Sequence, residues 1–143
     1  MEQTITLRII LEDPPAGVDF GLQEGRGRAY TTVQKQRSGG GDLRFDGSVR
    51  VKGTRDRHPD FAGPLVQGTP QDRFLYIDIG AAAGQFDSVW QRRLKIPLRG
   101  ITWDLIGDGA QAVLETRVAG TARDGGPNCG TVKPFKGWQP GRP

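Results

Sequence analysis

At 143 residues the chain is the size of one domain, 1–143, and can bury a core without metal ions or disulfides. Leu, Ile, Val and Phe number 33, above the ~20% that marks disorder. With 22 Gly and 10 Pro calling for many turns, this excludes a helical bundle, a coiled coil and a disordered chain. The net charge of +4 is unevenly spread: −4 over 1–25, +6 over 26–57, neutral over 58–104 and +2 over 105–143.

In chain order, Thr4–Leu11 alternates, with Ile5, Leu7, Ile9 and Leu11 on one face of a half-buried strand. Its flanks are acidic and its apolar stretch is short, unlike a secretory signal. Tyr30–Gln36 reads as a weaker strand, and Ser38-Gly39-Gly40-Gly41-Asp42 as a flexible hairpin loop. Asp42–Lys52 sets Leu43, Phe45, Val49 and Val51 against Arg44, Asp46, Ser48, Arg50 and Lys52, the pattern of an antiparallel strand with one wet face. Gly53–Pro64 is long, polar and turn-rich, so it is expected to fold over the surface as a functional or covering loop.

Arg73–Gly80 is apolar on both faces except at its ends and at Asp78, which predicts a central strand. Ala81–Arg92 is the best place for a helical turn, with Asp87 as its cap. Leu94–Leu98 is a short strand that Pro97 demotes toward an edge. Thr102–Ile106 suits a second short turn, and Val113–Val118 is the last clear strand. Residues 119–143 read as an irregular Gly/Pro-rich tail. The fold class expected is all-β: a small barrel or sandwich of about seven mostly antiparallel strands with one or two short helical turns.

Chemical motifs are sparse. Asp19-Phe20-Gly21 matches the metal-binding triplet of protein kinases, but the chain is far too short and lacks their catalytic loop. No Walker sequence, nucleophile elbow or HExxH is present. His58, the only histidine, sits in the polar loop Arg57-His58-Pro59-Asp60 and reads as a solvated side chain. Cys129 is alone, so there is neither an internal disulfide nor a zinc pattern, and no metal or cofactor is expected. No stretch nears the ~18 apolar residues of a membrane span.

The basic stretch 26–57 is dispersed over strands and turns and reads as a solvated face. Tyr30 and Phe45, beside Arg28 and Arg44, resemble a nucleic-acid platform, but alternation sends Phe45 to the core. Nucleic-acid binding is therefore expected to be weak and lost at physiological salt. The more informative feature is a polar residue inside each of three apolar strands: Arg8, Gln34 and Asp78. A buried carboxylate requires a partner, and Arg8, Arg92 or Arg93 would supply one to Asp78. Asp78, Arg8, Gln34, Tyr76, Arg92 and Arg93 are thus the candidate binding residues, at the floor of a ligand pocket. No catalytic residue is assigned.

Six segments carry a resemblance: Gly17–Gly25 (GVDFGLQEG), Tyr30–Ser38 (YTTVQKQRS), Asp60–Gly68 (DFAGPLVQG), Arg73–Gly80 (RFLYIDIG), Gln91–Leu105 (QRRLKIPLRGITWDL) and Gly120–Thr131 (GTARDGGPNCGT). They resemble an uncharacterised bacterial family, a domain of unknown function, along nearly the whole chain. The resemblance implies a small bacterial cytoplasmic protein and no activity, cofactor or catalytic residue. The function expected is small-molecule binding by a β-barrel or β-sandwich. The alternative is a structural or protein-interaction module, as a homodimer; an acid–base enzyme working through Asp78 or Asp19 ranks last.

Overall fold

The computed structural model describes residues 2–14, 16–26, 29–79, 93–108, 112–119, 123–126, 129–132 and 135–143. Among them the chain runs through β1 (Glu2–Leu11), β2 (Asp19–Arg26), β3 (Ala29–Arg37), β4 (Leu43–Lys52), β5 (Asp60–Ala62), β6 (Gln67–Thr69), β7 (Asp72–Ile79) and β8 (Arg93–Pro97). After these come α1 (Trp103–Ile106), β9 (Val113–Val118), β10 (Arg123–Gly126), β11 (Cys129–Val132) and β12 (Gln139–Pro140). The seven strands of five residues or more are β1, β2, β3, β4, β7, β8 and β9. The others are shorter additions at hairpins and edges. The helical turn expected over Ala81–Arg92 lies outside the described residues.

The strands form two sheets, one ordered β12-β9-β1-β4-β5 and the other β10-β11-β8-β7-β2-β3, with β6 paired to β7. Pairing is mostly antiparallel, but β1 runs parallel to β9 and β8 parallel to β11. Neither sheet closes on itself, so of the two architectures expected the chain adopts the sandwich rather than the barrel. Ile5, Leu7, Ile9, Phe45, Val49 and Leu114 from the first sheet share one core cluster with Phe20, Leu22, Leu75, Ile77, Leu94 and Ile96 from the second. The period-two pattern does this: it turns every second side chain of β1, β4 and β7 to the same side.

One strand is added to those expected, and two local expectations are corrected. Asp19–Arg26 is a strand, and its kinase-like triplet is simply a piece of it, with Phe20 in the core. The extra residue of the β2–β3 register shift, Val33, lies on β3, while Gly21 and Gly25 leave β2 only Phe20 and Leu22 to announce it. Next, β8 is not an edge but lies between β7 and β11. Pro97 is tolerated because, among the described residues, β11 pairs only with Leu94 and Lys95, so no ladder bond is demanded of the proline on that side. Last, the Gly/Pro-rich tail is not irregular throughout, since it holds β10, β11 and β12.

The turn expected at Thr102–Ile106 is α1, with the Thr102 hydroxyl accepting the Leu105 N–H at 3.3 Å as its N-cap. One seam of the sandwich is held by side chains. Gln34 and Gln36 of β3 donate their amide groups to the backbone oxygens of Asp46 and Arg44 on β4, each at 2.5 Å. In the β6–β7 hairpin Gly68 lies within β6 opposite Arg73, where a φ of +86° suits glycine and a Cβ would strike the Asp72 carbonyl oxygen. Gly68→Ala is therefore expected to lower unfolding stability by about 1–3 kcal/mol. Gly39→Ala, in an open loop with nothing near its absent Cβ, should leave the urea midpoint unchanged. Equal midpoints for the two variants would refute this account of the hairpin.

Candidate functional site

The six candidate residues do not form one site. Arg8 points away from the core, yet it is only 4% exposed. The neighbouring strands supply carboxylates to it, Asp46 at 2.9 Å and Glu115 at 3.6 Å. The Arg142 carbonyl oxygen accepts from its Nη1 at 2.6 Å. Arg8 is thus no partner of Asp78: the two sit in different sheets. Gln34 joins the Arg8 cluster, through the Asp46 backbone oxygen. Burial alone would raise the Asp46 carboxyl, but hydrogen bonds from Arg44 and Arg8 outweigh it and hold the group below the usual range. The Asp46 hydrogen bond likewise raises the Arg8 guanidinium.

Asp78, Tyr76 and Arg93 lie together on the outer face of the other sheet. Leu75, Ile77 and Ile79 of β7 face the core, which leaves Phe74, Tyr76 and Asp78 on the opposite side. Asp78 is half-buried and stands opposite Arg93 in register, so its strand is not sealed on both faces as its apolar sequence suggested. The Arg93 guanidinium lies over the rings of Tyr30 (4.6 Å) and Tyr76 (4.9 Å) and donates to Gln23 Oε1 at 3.0 Å. Lys95 sits over Phe74 at 4.3 Å. Aromatic residues do meet basic ones on neighbouring strands, but the partner of Tyr30 is Tyr76 rather than Phe45, which is fully buried. Arg92 lies outside the described residues.

A concave site is found instead at one end of the sandwich, where three connections meet. These are the loop 53–59, the β6–β7 turn and the stretch 98–102 that leads into α1. A cleft of about 430 Å³ opens there among Phe61, Pro70, Arg73, Leu98, Arg99 and Ile101. Its floor is apolar, with Phe61, Leu98 and Ile101 at 4% exposure or less. His58 lines this cleft and also an adjoining hollow of about 320 Å³ shared with Arg55, Arg57 and Trp103.

Each wall has a fixed support. The Trp103 indole N–H donates to the Arg57 carbonyl oxygen at 2.8 Å, pinning the loop to α1. Arg55 lies over the Trp103 ring at 5.3 Å and pairs with Asp108 at 2.9 Å. Arg73 holds both oxygens of Asp60, at 3.0 and 3.3 Å, and donates to the Gly68 carbonyl oxygen. That guanidinium lowers the Asp60 carboxyl despite its burial. Arg99 and Arg57, by contrast, make no side-chain hydrogen bond or ion pair among the described residues.

The sequence pointed to this loop by its length and polarity but weighed His58 as merely solvated. Phe61, Leu98, Arg99 and Ile101 carried no motif that would join them. Among the described residues no cluster of His, Cys, Asp and Glu suits a metal ion. No helix there is long and apolar enough to cross a membrane.

The sequence model for the family of unknown function DUF5990 matches residues 5–141. The chain belongs to that family. A search of the curated proteins found no match, and neither did a search of the solved structures. For a DUF5990 chain, then, function rests on the geometry.

Two outcomes follow from the charge clusters. Arg8→Ala removes the enclosed cation, but Asp46 keeps Arg44 and Glu115 keeps Arg117, so the change should cost about 1.5–3 kcal/mol in denaturant unfolding, the worth of a charged hydrogen bond. A loss under about 1 kcal/mol, the level of a surface pair, would refute that reading of Arg8. Asp46 and Asp60 have lowered carboxyl values in the folded state. They contribute stability above the unfolded value of about 4, and it is lost as pH falls through the folded value. Urea midpoints should therefore drop below about pH 4, less steeply in Asp46→Asn and Asp60→Asn.

Proposed function

We propose that this DUF5990 protein binds a small molecule that joins an anionic group to a flat apolar body. The observation that carries the reading is Arg99, a cation without a partner among the described residues, at the rim of a cleft floored by Phe61, Leu98 and Ile101. Binding sites of ~300–1,000 Å³ typically combine such an apolar lining with a few placed polar groups. Arg73 is already neutralised by Asp60, so it shapes the wall, while Arg99 and His58 are the groups that remain to orient a ligand. The cleft replaces the polar cluster around Asp78 as the favoured site, because Arg93 there is already stacked on its own tyrosines. The lone cysteine and the resemblance to a bacterial family support a place in the bacterial cytoplasm.

The test is an NMR titration with phenyl phosphate and benzoate, using benzylamine as the cationic control. Both anions should shift the amide signals of His58, Asp60, Phe61 and residues 98–101, and benzylamine should not. Arg99→Ala should weaken binding about tenfold or more, the worth of a hydrogen bond to a charged group. Equal affinity for the amine, or an unaffected Arg99→Ala, would refute the proposal.

A further inference from the structure

The hollow beside the cleft is chemically unlike it. Where the cleft has an apolar floor, the hollow is lined by Arg55, Asp56, Arg57, His58 and Asp104 beside Trp103. Two of these charges are satisfied within the protein. Arg55 pairs with Asp108 and donates to the Gly107 carbonyl oxygen at 3.1 Å, and the Asp56 carboxylate accepts the Thr54 hydroxyl. The other two are not. Arg57 and Asp104 line the same hollow, yet among the described residues neither makes a side-chain hydrogen bond or ion pair, with the other or with any third group. Trp103 anchors both: it precedes Asp104 in α1 and donates its indole N–H to the Arg57 carbonyl oxygen at 2.8 Å.

A free cation and a free carboxylate in one hollow select a group that carries both charges. A plain anion would satisfy Arg57 but face Asp104, and a plain cation would do the reverse. An α-amino acid head meets both, its carboxylate accepting from the guanidinium and its ammonium donating to the carboxylate. The hollow also adjoins the cleft, since His58 and Pro59 line the two of them. One molecule can therefore set its head in the hollow and its body in the cleft. We propose that the ligand is an aromatic α-amino acid whose side chain ends in an anionic group. Its head lies between Arg57 and Asp104, its ring against Phe61, Leu98 and Ile101, and its anionic end on Arg99. This rests on the reading of the cleft as a site for an anion on a flat apolar body, and adds the head group to it.

An NMR titration of the full chain at ~0.15 M salt, which screens distant charges, tests this with three probes. They are O-phospho-L-tyrosine, phenyl phosphate, which lacks the head, and N-acetyl-O-phosphotyrosine amide, which lacks both charges of the head. O-phospho-L-tyrosine should bind about tenfold or more tighter than the other two. It should also shift the Trp103 indole N–H signal, which phenyl phosphate should leave in place. Arg57→Gln and Asp104→Asn should each lose most of that advantage and keep the wild-type affinity for phenyl phosphate, which shows that the variant is folded with its cleft intact. If phenyl phosphate binds and O-phospho-L-tyrosine binds no tighter, the proposal falls while the reading of the cleft stands. An advantage that survives in both variants overturns it as well. If neither compound binds, the reading of the cleft fails and takes the proposal with it.

Discussion

Two sheets that share a core without closing into a barrel leave backbone edges and seams, and every unpaired N–H and C=O there must be met by side chains, by other segments or by water. Much of this protein is arranged around that constraint. Gln34 and Gln36 reach from one sheet to carbonyl oxygens of the other, on the stretch of β4 that the three-residue β5 does not cover. Trp138 links the sheets by a different route: its indole donates to the Pro97 oxygen at 2.8 Å in one sheet, while the β12 strand beside it pairs with β9 of the other.

The same constraint places the concave site. Chain connections can leave the sandwich only at its ends, and at one end three of them converge, braced by the Arg73–Asp60 pair and by Trp103. Asp60 belongs to β5 of one sheet and Arg73 to β7 of the other. The cleft beside them is therefore walled by both layers. Rigid strands position its side chains, and the loops supply the variable parts, a division of labour common to binding proteins.

Most of the framework was legible in the residues. Val113–Val118 and the long alternating runs of β1 and β4 were read nearly to the residue, because one-sided burial imposes a strict period of two. β2 was hidden by Gly21 and Gly25, which leave only Phe20 and Leu22 to signal a strand. The candidate site was less legible. Parity correctly marked Arg8 as lying off the core face, but the atoms that enclose it come from Glu115 and Arg142, far along the chain. Arg99 and Phe61 meet only because separate connections converge, and no local pattern encodes that.

The placement of Arg8 also bears on how the chain is made. Residue 8 leaves the ribosome 134 positions ahead of its Arg142 contact, in a strand that will sit in the middle of its sheet. The parallel partner of β1 is also distant, with Thr6 set against Val113. Until those segments emerge, a charged strand that ends in the interior has only its β4 neighbour. The domain can thus assemble fully only after synthesis has passed residue 142, and the distant pairings make a slow folder in which nascent β1–β4 hairpins wait, half-clothed, for β9 and Arg142.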